Sequence, residues 1–302
     1  MNTIFSTLIT KLALFVKKFI NPIPLLTNRE SRKGQTNAIN SAFVLNIFVI
    51  FQVFFLLILP LTVLFLGIAQ TQWSEVLRKA TDPIAVSAYV LTVQMALYAA
   101  LLNTLFGFII TWVLTRYQFF GKKFLDAAVD LPFALPTSVA GLTLATVYGD
   151  QGWIGSFFSP FGVQIVFTKS GVLLAMIFVS FPFVIRTLQP VLQEIEQSLE
   201  EAAWSLGASP WQTFRRVILP TLWPALFTGF TLSFSRALGE FGSIVMISSN
   251  LPFKDLVASV LIYQSLEQYD YLGASIIGAV VLLIAFITLI LINAFQALKY
   301  RV

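Results

Sequence analysis

Uncharged stretches long enough to cross a lipid bilayer organise this chain. Residues 46–69, 84–115, 131–149 and 271–298 contain no Asp, Glu, Lys or Arg. Each meets or approaches the roughly 20 residues that an α-helix needs to traverse the hydrocarbon core. Ser170–Ile185 is shorter but continues past Arg186 to Gln193, and Val217–Asn250 is interrupted only by Arg236 and Glu240. Six spanning helices are expected, near 46–69, 86–115, 131–149, 171–192, 220–249 and 271–297. The 30 Phe among 302 residues show no two-residue alternation over ten-residue segments, which favours an all-α bundle over a β-barrel. A hydrophobic share of 57% against 11% charged, with a mean hydropathy of +0.84, excludes an ordinary soluble domain.

Orientation follows from the basic residues, because Lys and Arg flanking a span are retained on the cytoplasmic side. With the N-terminus inside, that side collects fourteen: Lys11, Lys17, Lys18, Arg29, Arg32, Lys33, Arg116, Lys122, Lys123, Arg186, Arg215, Arg216, Lys299 and Arg301. The other side keeps four, Arg78, Lys79, Lys169 and Lys254. Both termini and the segment 194–220 are therefore expected in the cytoplasm of a multi-pass membrane protein. The net charge of +5 reports this topology and not nucleic-acid binding.

Residues 1–45 form a basic N-terminal tail. Ile4, Leu8, Leu12, Phe15 and Phe19 recur near helical spacing beside Lys11, Lys17 and Lys18, the pattern of an interfacial helix. The late basic residues and the missing small-residue cleavage site argue against a signal peptide. Low acidity with scattered Ser and Thr leaves an organellar transit sequence as a second reading.

The chain has no Cys and no His, which removes thiol catalysis, histidine-based triads, and zinc or haem sites built on either residue. Gly121-Lys122-Lys123 lacks the upstream glycine and the hydroxyl of a phosphate-binding loop. No catalytic residue, metal site or cofactor is expected in this chain; ATP, if used, binds elsewhere.

Segment 194–220 carries helix signals. Ser198-Leu199-Glu200-Glu201 reads as a capping box that starts a short helix at Ser198. Gly207 can take the left-handed conformation that ends it. Ser209-Pro210-Trp211-Gln212 supplies a second cap, a first-turn proline and a second box. Ala202, Ala203 and Leu206 give a small apolar face, and Trp204 and Trp211 add large surface. This is either a docking face for another protein or a loop tucked under its own bundle.

Arg236 and Glu240 are the ionisable residues well inside an expected span. Four apart, they share one helix face with Ser243 beside them. Charge at the bilayer centre costs about 2.5–3.5 kcal/mol on insertion scales, so both should face protein or water. They read as a weak electropositive point on an anion pathway, or as a pair that fixes packing. Pro132 and Pro136 open the third span and imply a kink, at a gate or merely static. Asp126 and Asp130 could anchor their loop to Lys122, Lys123 or Arg186, or form a solvated edge.

The spacing Glu201-Ala202-Ala203, three residues, Gly207, nine residues, then Val217-Ile218-Leu219-Pro220 resembles the EAA loop of binding-protein-dependent ABC importer permeases, with Val217 where isoleucine is usual. The resemblance implies a type I importer permease (MetI-like) fold, with residues 198–212 as the coupling helix that docks into an ATPase groove. Leu131–Thr137, Arg186–Pro190 and Arg236–Gly242 look like the sulfate and molybdate branch. Ser138–Ala145 and Ser249–Pro252 are most similar to the T-type permease subunits of bacterial sulfate/thiosulfate importers. Implied partners are a homologous W-type permease, two ATPase subunits that bind ATP and Mg, an extracytoplasmic sulfate-binding protein, and lipid. The expected role is a transport subunit, not an enzyme. Molybdate or tungstate transport, a channel or secondary transporter, and a non-transporting scaffold are the alternatives.

Overall fold

A computed structural model describes residues 45–299; the readings of the tail fall on residues outside these. The described residues fall into two units that part between Leu66 and Gly67. Helix α1 (Leu45–Ala69), most of which belongs to the first, is apolar on all sides and almost wholly exposed, as lipid contact requires. One π turn at Phe54–Ile58 interrupts its ladder.

The second unit is a helical bundle. Its elements are α2 (Trp73–Ala80), α3 (Pro83–Arg116), α4 (Lys122–Val129), α5 (Leu131–Ala134), α6 (Thr137–Tyr148), α7 (Gly155–Phe158), α8 (Lys169–Glu194), α9 (Gln197–Ser205), α10 (Pro210–Leu238), α11 (Gly242–Ile247), α12 (Ala258–Glu267) and α13 (Tyr271–Lys299). Sequence sets their starts. Asp82 accepts the Ile84 N–H at 2.8 Å, with Pro83 in the first turn of α3, and Thr168 accepts the Ser170 N–H at 3.2 Å to begin α8. At 34 residues, α3 is about 50 Å long.

Helices α3, α8 and α10 pack together as the centre of this unit. Small residues permit the approach: Ala96, Ala99, Ala100, Ala175 and Ala237 are fully buried. A Cβ added at Gly107 would stand 2.9 Å from Val184 Cγ1, and one at Gly229 would stand 3.2 Å from Val184 Cα. Without a hydrophobic drive between helices in lipid, such close contact supplies the association energy. The buried Asn103 side chain of α3 donates to Ser180 Oγ (2.8 Å) and the Ile177 carbonyl (3.1 Å) on α8, and to Ser233 Oγ (3.2 Å) on α10. Most other hydroxyls in the spans are satisfied one turn back on their own helix: Thr104 on Ala100, Thr111 on Gly107, Ser180 on Met176, Thr231 on Phe227 and Thr288 on Ile284.

Among the described residues five helices are long and apolar enough to cross a membrane, where the sequence suggests six. The third expected span, 131–149, is broken outright and not kinked. Pro132 lies in the first turn of α5, Leu135 is extended (ψ 134°), and Pro136 caps α6 at ψ 133°. A residue preceding proline is pushed out of the helical region, which stops α5. The 12 residues of α6 reach only about 18 Å. The fifth expected span, 220–249, also ends early, at Leu238, and α11 follows after a turn. These two interrupted segments pack on each other: a Cβ at Gly141 would strike the Ser243 backbone, and one at Gly242 would strike Thr137. Irregular backbone at membrane depth is tolerated only where protein or a cavity covers it.

Candidate coupling and pathway sites

The link between α8 and α10 is built from two short turns. Helix α9 begins at Gln197, two residues before the Leu199 start that a Ser198 cap implies, and the Ser198 capping box does not form. Glu196 is the first non-helical residue (ψ 135°), so Ser198 falls inside the first turn, where its hydroxyl donates to Glu196 Oε2 at 2.9 Å. The helix ends as expected. Gly207 is left-handed at φ 81°, and the Ala208 N–H reaches the Ala203 carbonyl at 3.0 Å across it. The second box is complete: Ser209 Oγ accepts the Gln212 N–H (3.3 Å) and Gln212 Oε1 accepts the Ser209 N–H (2.8 Å).

The bend presents an exposed apolar surface. Leu206 is 89% exposed, Trp211 66% and Trp204 47%. Glu201 and Ala202 are exposed beside them, while Ala203 is half-buried. The five residues singled out in this loop thus share one short helix and its terminal bend, with no part of the bundle covering Leu206.

Beneath that surface the loop is fastened by residues the sequence reading passed over. Glu200, not Glu201, turns inward: its Oε1 lies 2.6 Å from Arg116 Nη2 at the end of α3, with the two side chains only 14% and 21% exposed. The Arg116 guanidinium also lies 5.6 Å from the Trp112 ring centroid. Trp112 and Phe108 of α3 meet Phe214 at 5.7 and 6.0 Å, and Phe214 stacks on Trp211 at 5.5 Å. Phe214–Ile218 is a π turn closed by the Leu219 N–H on the Phe214 carbonyl, a local underwinding frequent at functional sites. Ile218 is buried with Leu188, Leu192 and Ile195 of the α8 end, whereas Val217 is only half-buried. A smaller side chain at 217 therefore leaves the core intact.

Arg236 and Glu240 are brought together, though not on one helix face. Glu240 lies just past the end of α10, where its carboxylate folds back to Arg236 Nη1 at 2.6 Å. Its second oxygen accepts the Ser243 N–H (3.0 Å) and hydroxyl (2.9 Å), and its backbone carbonyl accepts Ser259 Oγ from α12 at 2.6 Å. The Glu240 side chain is 2% exposed and that of Arg236 31%. The carboxylate is enclosed and the guanidinium half-open.

Pro132 and Pro136 sit beside a charged node, and here the solvated-edge reading gives way to the anchor. Arg186 Nε and Nη2 bind Asp130 in a fork (2.8 and 2.7 Å), and Nη1 binds Asp126 at 2.8 Å. This hydrogen bond is the main reason the Asp126 carboxyl titrates below its ordinary 3.8. Phe133 packs edge-on against Phe183 at 5.2 Å, so α4 and α5 are both held to α8. Among the described residues no three His, Cys, Asp or Glu gather as a metal site.

The family described as binding-protein-dependent transport system inner membrane component matches residues 103–301. A Chlorella vulgaris protein described as a probable sulfate transport system permease is 88% identical over 235 residues, 78% of this chain and 88% of that one. The Prototheca wickerhamii counterpart is 70% identical over 82% of this chain and 97% of its own. The Synechococcus elongatus sulfate transport system permease is 59% identical over 80% and 87%. In fold, the chain is similar to a bacterial ABC transporter involved in import of the acidic polysaccharide alginate, with TM-score 0.72 at 16% identity over 89% of this chain and all of that one.

Proposed function

Because the chain belongs to the family of binding-protein-dependent transport system inner membrane components, we propose that it is one of two permease subunits of an ATP-driven importer carrying sulfate, with thiosulfate as related cargo. It is a multi-pass transport subunit of the ABC importer class. The observation that carries the mechanism is the fastened but uncovered bend at Leu206–Trp211. Its apolar face is oriented by Arg116–Glu200 and the Phe108–Trp112–Phe214 cluster and is open to an external groove. Sulfate as cargo rests on the names of the relatives.

In this reading a partner ATPase takes Glu201, Ala202, Ala203, Leu206 and Gly207 into its groove. Closure of two such ATPases on ATP and Mg moves the bend. The motion passes to α3 through Arg116 and to α10 through the π turn. The break at Pro132–Pro136, tethered by Arg186, is where the chain opens toward the cytoplasm. Arg236, Glu240 and Ser243 give the pathway one partly neutralised positive point, favourable enough for an oxyanion to enter and weak enough for it to leave. A homologous W-type permease completes the pathway, and an extracytoplasmic sulfate-binding protein supplies selectivity. Fourteen basic residues against four support cytoplasmic termini. The Synechococcus elongatus relative supports a bacterial plasma membrane as the location.

The test is uptake of labelled sulfate into proteoliposomes holding this chain with its co-purified permease and ATPases, the binding protein outside and ATP inside. ATP-dependent uptake resistant to molybdate is expected. Uptake abolished by molybdate widens the cargo to that branch, and none in an intact complex overturns the assignment.

A further inference from the structure

A cleft of about 270 Å³ opens between the first turns of α3, the start of α8 and the loop before α12. Its walls include Ser87, Val90 and Gln94 of α3, Lys169, and Phe253 and Lys254 of the loop, with no carboxylate among the lining residues. Neither lysine is in an ion pair among the described residues, in contrast to Lys79, which binds Asp270 at 2.5 Å in the neighbouring cleft.

The loop that carries Lys254 is held in a fixed, unfavourable shape. Phe253 is left-handed at φ 61°, a conformation that bulky residues adopt only when their surroundings impose it. The loop is pinned two to four residues earlier by the fully buried Asp255. Its carboxylate accepts the Ser249 N–H (2.7 Å), the Ser249 hydroxyl (2.7 Å) and the Leu251 N–H (3.2 Å). The Asp255 carboxylate is thus taken up by donors of its own loop and makes no ion pair with the adjacent Lys254. Across the cleft Gln94 lies more than two turns inside α3 and is exposed. A polar side chain at that depth is expected to face a partner or water.

The geometry points to an oxyanion-binding site in this cleft, in which Lys169 and Lys254 hold a tetrahedral dianion and Gln94 and Ser87 contribute neutral contacts. Both lysines belong to the four basic residues on the less basic side of the membrane. The site therefore lies at the outer mouth, separate from Arg236, and two lysines without a full cage of donors bind weakly enough to pass the anion on. Its reading as a stop for imported sulfate rests on the proposed function; the anion chemistry itself does not. The same site could take a phosphate headgroup.

The chain lacks cysteine, so Val90→Cys in the assembled complex in nanodiscs gives a single reactive reporter on this chain that is not itself a ligand. Sulfate should slow its labelling by a neutral thiol reagent severalfold, where chloride of equal ionic strength should not. The protection should vanish in the Lys169→Gln/Lys254→Gln background. Protection without sulfate in discs containing phosphatidic acid, absent in purely zwitterionic discs, identifies the lipid phosphate as the occupant of the same site. No protection by either anion overturns the proposal, as does protection that appears only when the binding protein docks and ignores sulfate. Sulfate protection in a complex that fails to import would refute the transport reading and leave the site standing.

Discussion

Arg116 at the end of α3 and Glu200 in α9 lie 2.6 Å apart, joining a spanning helix to the exposed bend through one ion pair. Its worth falls between the ~1 kcal/mol of exposed pairs and the ~3 kcal/mol and upward of buried ones. Arg116→Ala should leave ATP hydrolysis by the complex largely intact while reducing uptake at least tenfold. Arg116→Glu with Glu200→Arg should recover much of that loss. Parallel loss of hydrolysis and uptake, with no recovery in the exchange, would show a merely structural pair.

Gly207 holds φ 81° with nothing within 4 Å of a prospective Cβ, so a side chain there meets backbone strain and not crowding. Gly207→Leu should cost about 1–2 kcal/mol locally and abolish uptake while the protein still inserts. Gly207→Asn, which tolerates this region, should retain more activity. Normal uptake by the leucine variant would remove the bend from the transport cycle.

Removing Arg236 leaves Glu240 enclosed with only the Ser243 donors on its carboxylate. Arg236→Ala should therefore reduce uptake well below Arg236→Lys, read as initial rates at matched membrane abundance. Equal, small effects from both would confine the pair to packing.

The Asp126 carboxyl titrates below 3.8 because Arg186 stabilises its charged form. A depressed value means the stabilisation is fully present above 3.8 and is lost as pH falls through the lowered folded value. Asp126→Asn should lower the melting temperature of the detergent-solubilised protein at pH 7 and equally at pH 5. The gap from the parent should close only below 3.8, and a gap that persists there would assign the effect to shape instead of charge.

Asn103 joins three helices through one amide. Asn103→Ala should destabilise the bundle by of the order of 1 kcal/mol, the scale of polar contacts between spanning helices. Thermal unfolding in detergent checks it, and an unchanged midpoint would mean that close packing at Gly107 and Gly229 suffices.

The spans were legible because lack of charge over 20 residues is a solvent property that needs no tertiary context. Gly207 and the Ser209–Gln212 box were legible because they are local conformational demands. The failed box at Ser198 shows the limit: Glu196 is already the cap, so the same four residues fall two positions too late. Pro132 and Pro136 imply only a kink where the helix in fact breaks at Leu135, and the end at Leu238 stays hidden, because hydropathy is blind to backbone direction. Arg116 was read only as a basic flank, since nothing in a linear sequence says that Glu200, and not the motif residue Glu201, would turn toward it. Arg186 was one of three partners open to Asp126 and Asp130; choosing among them required the fold.

The self-contained hydroxyls of the spans separate two events in the life of the chain. Thr104, Thr111, Thr231 and Thr288 are satisfied by their own helices, so each segment can leave the insertion machinery and enter lipid without waiting for a neighbour. Asn103 cannot, because its acceptors lie on α8 and α10, which are synthesised later. Until those arrive it is an unsatisfied amide in hydrocarbon, a chemical timer that distinguishes a chain still being made from one whose bundle has closed.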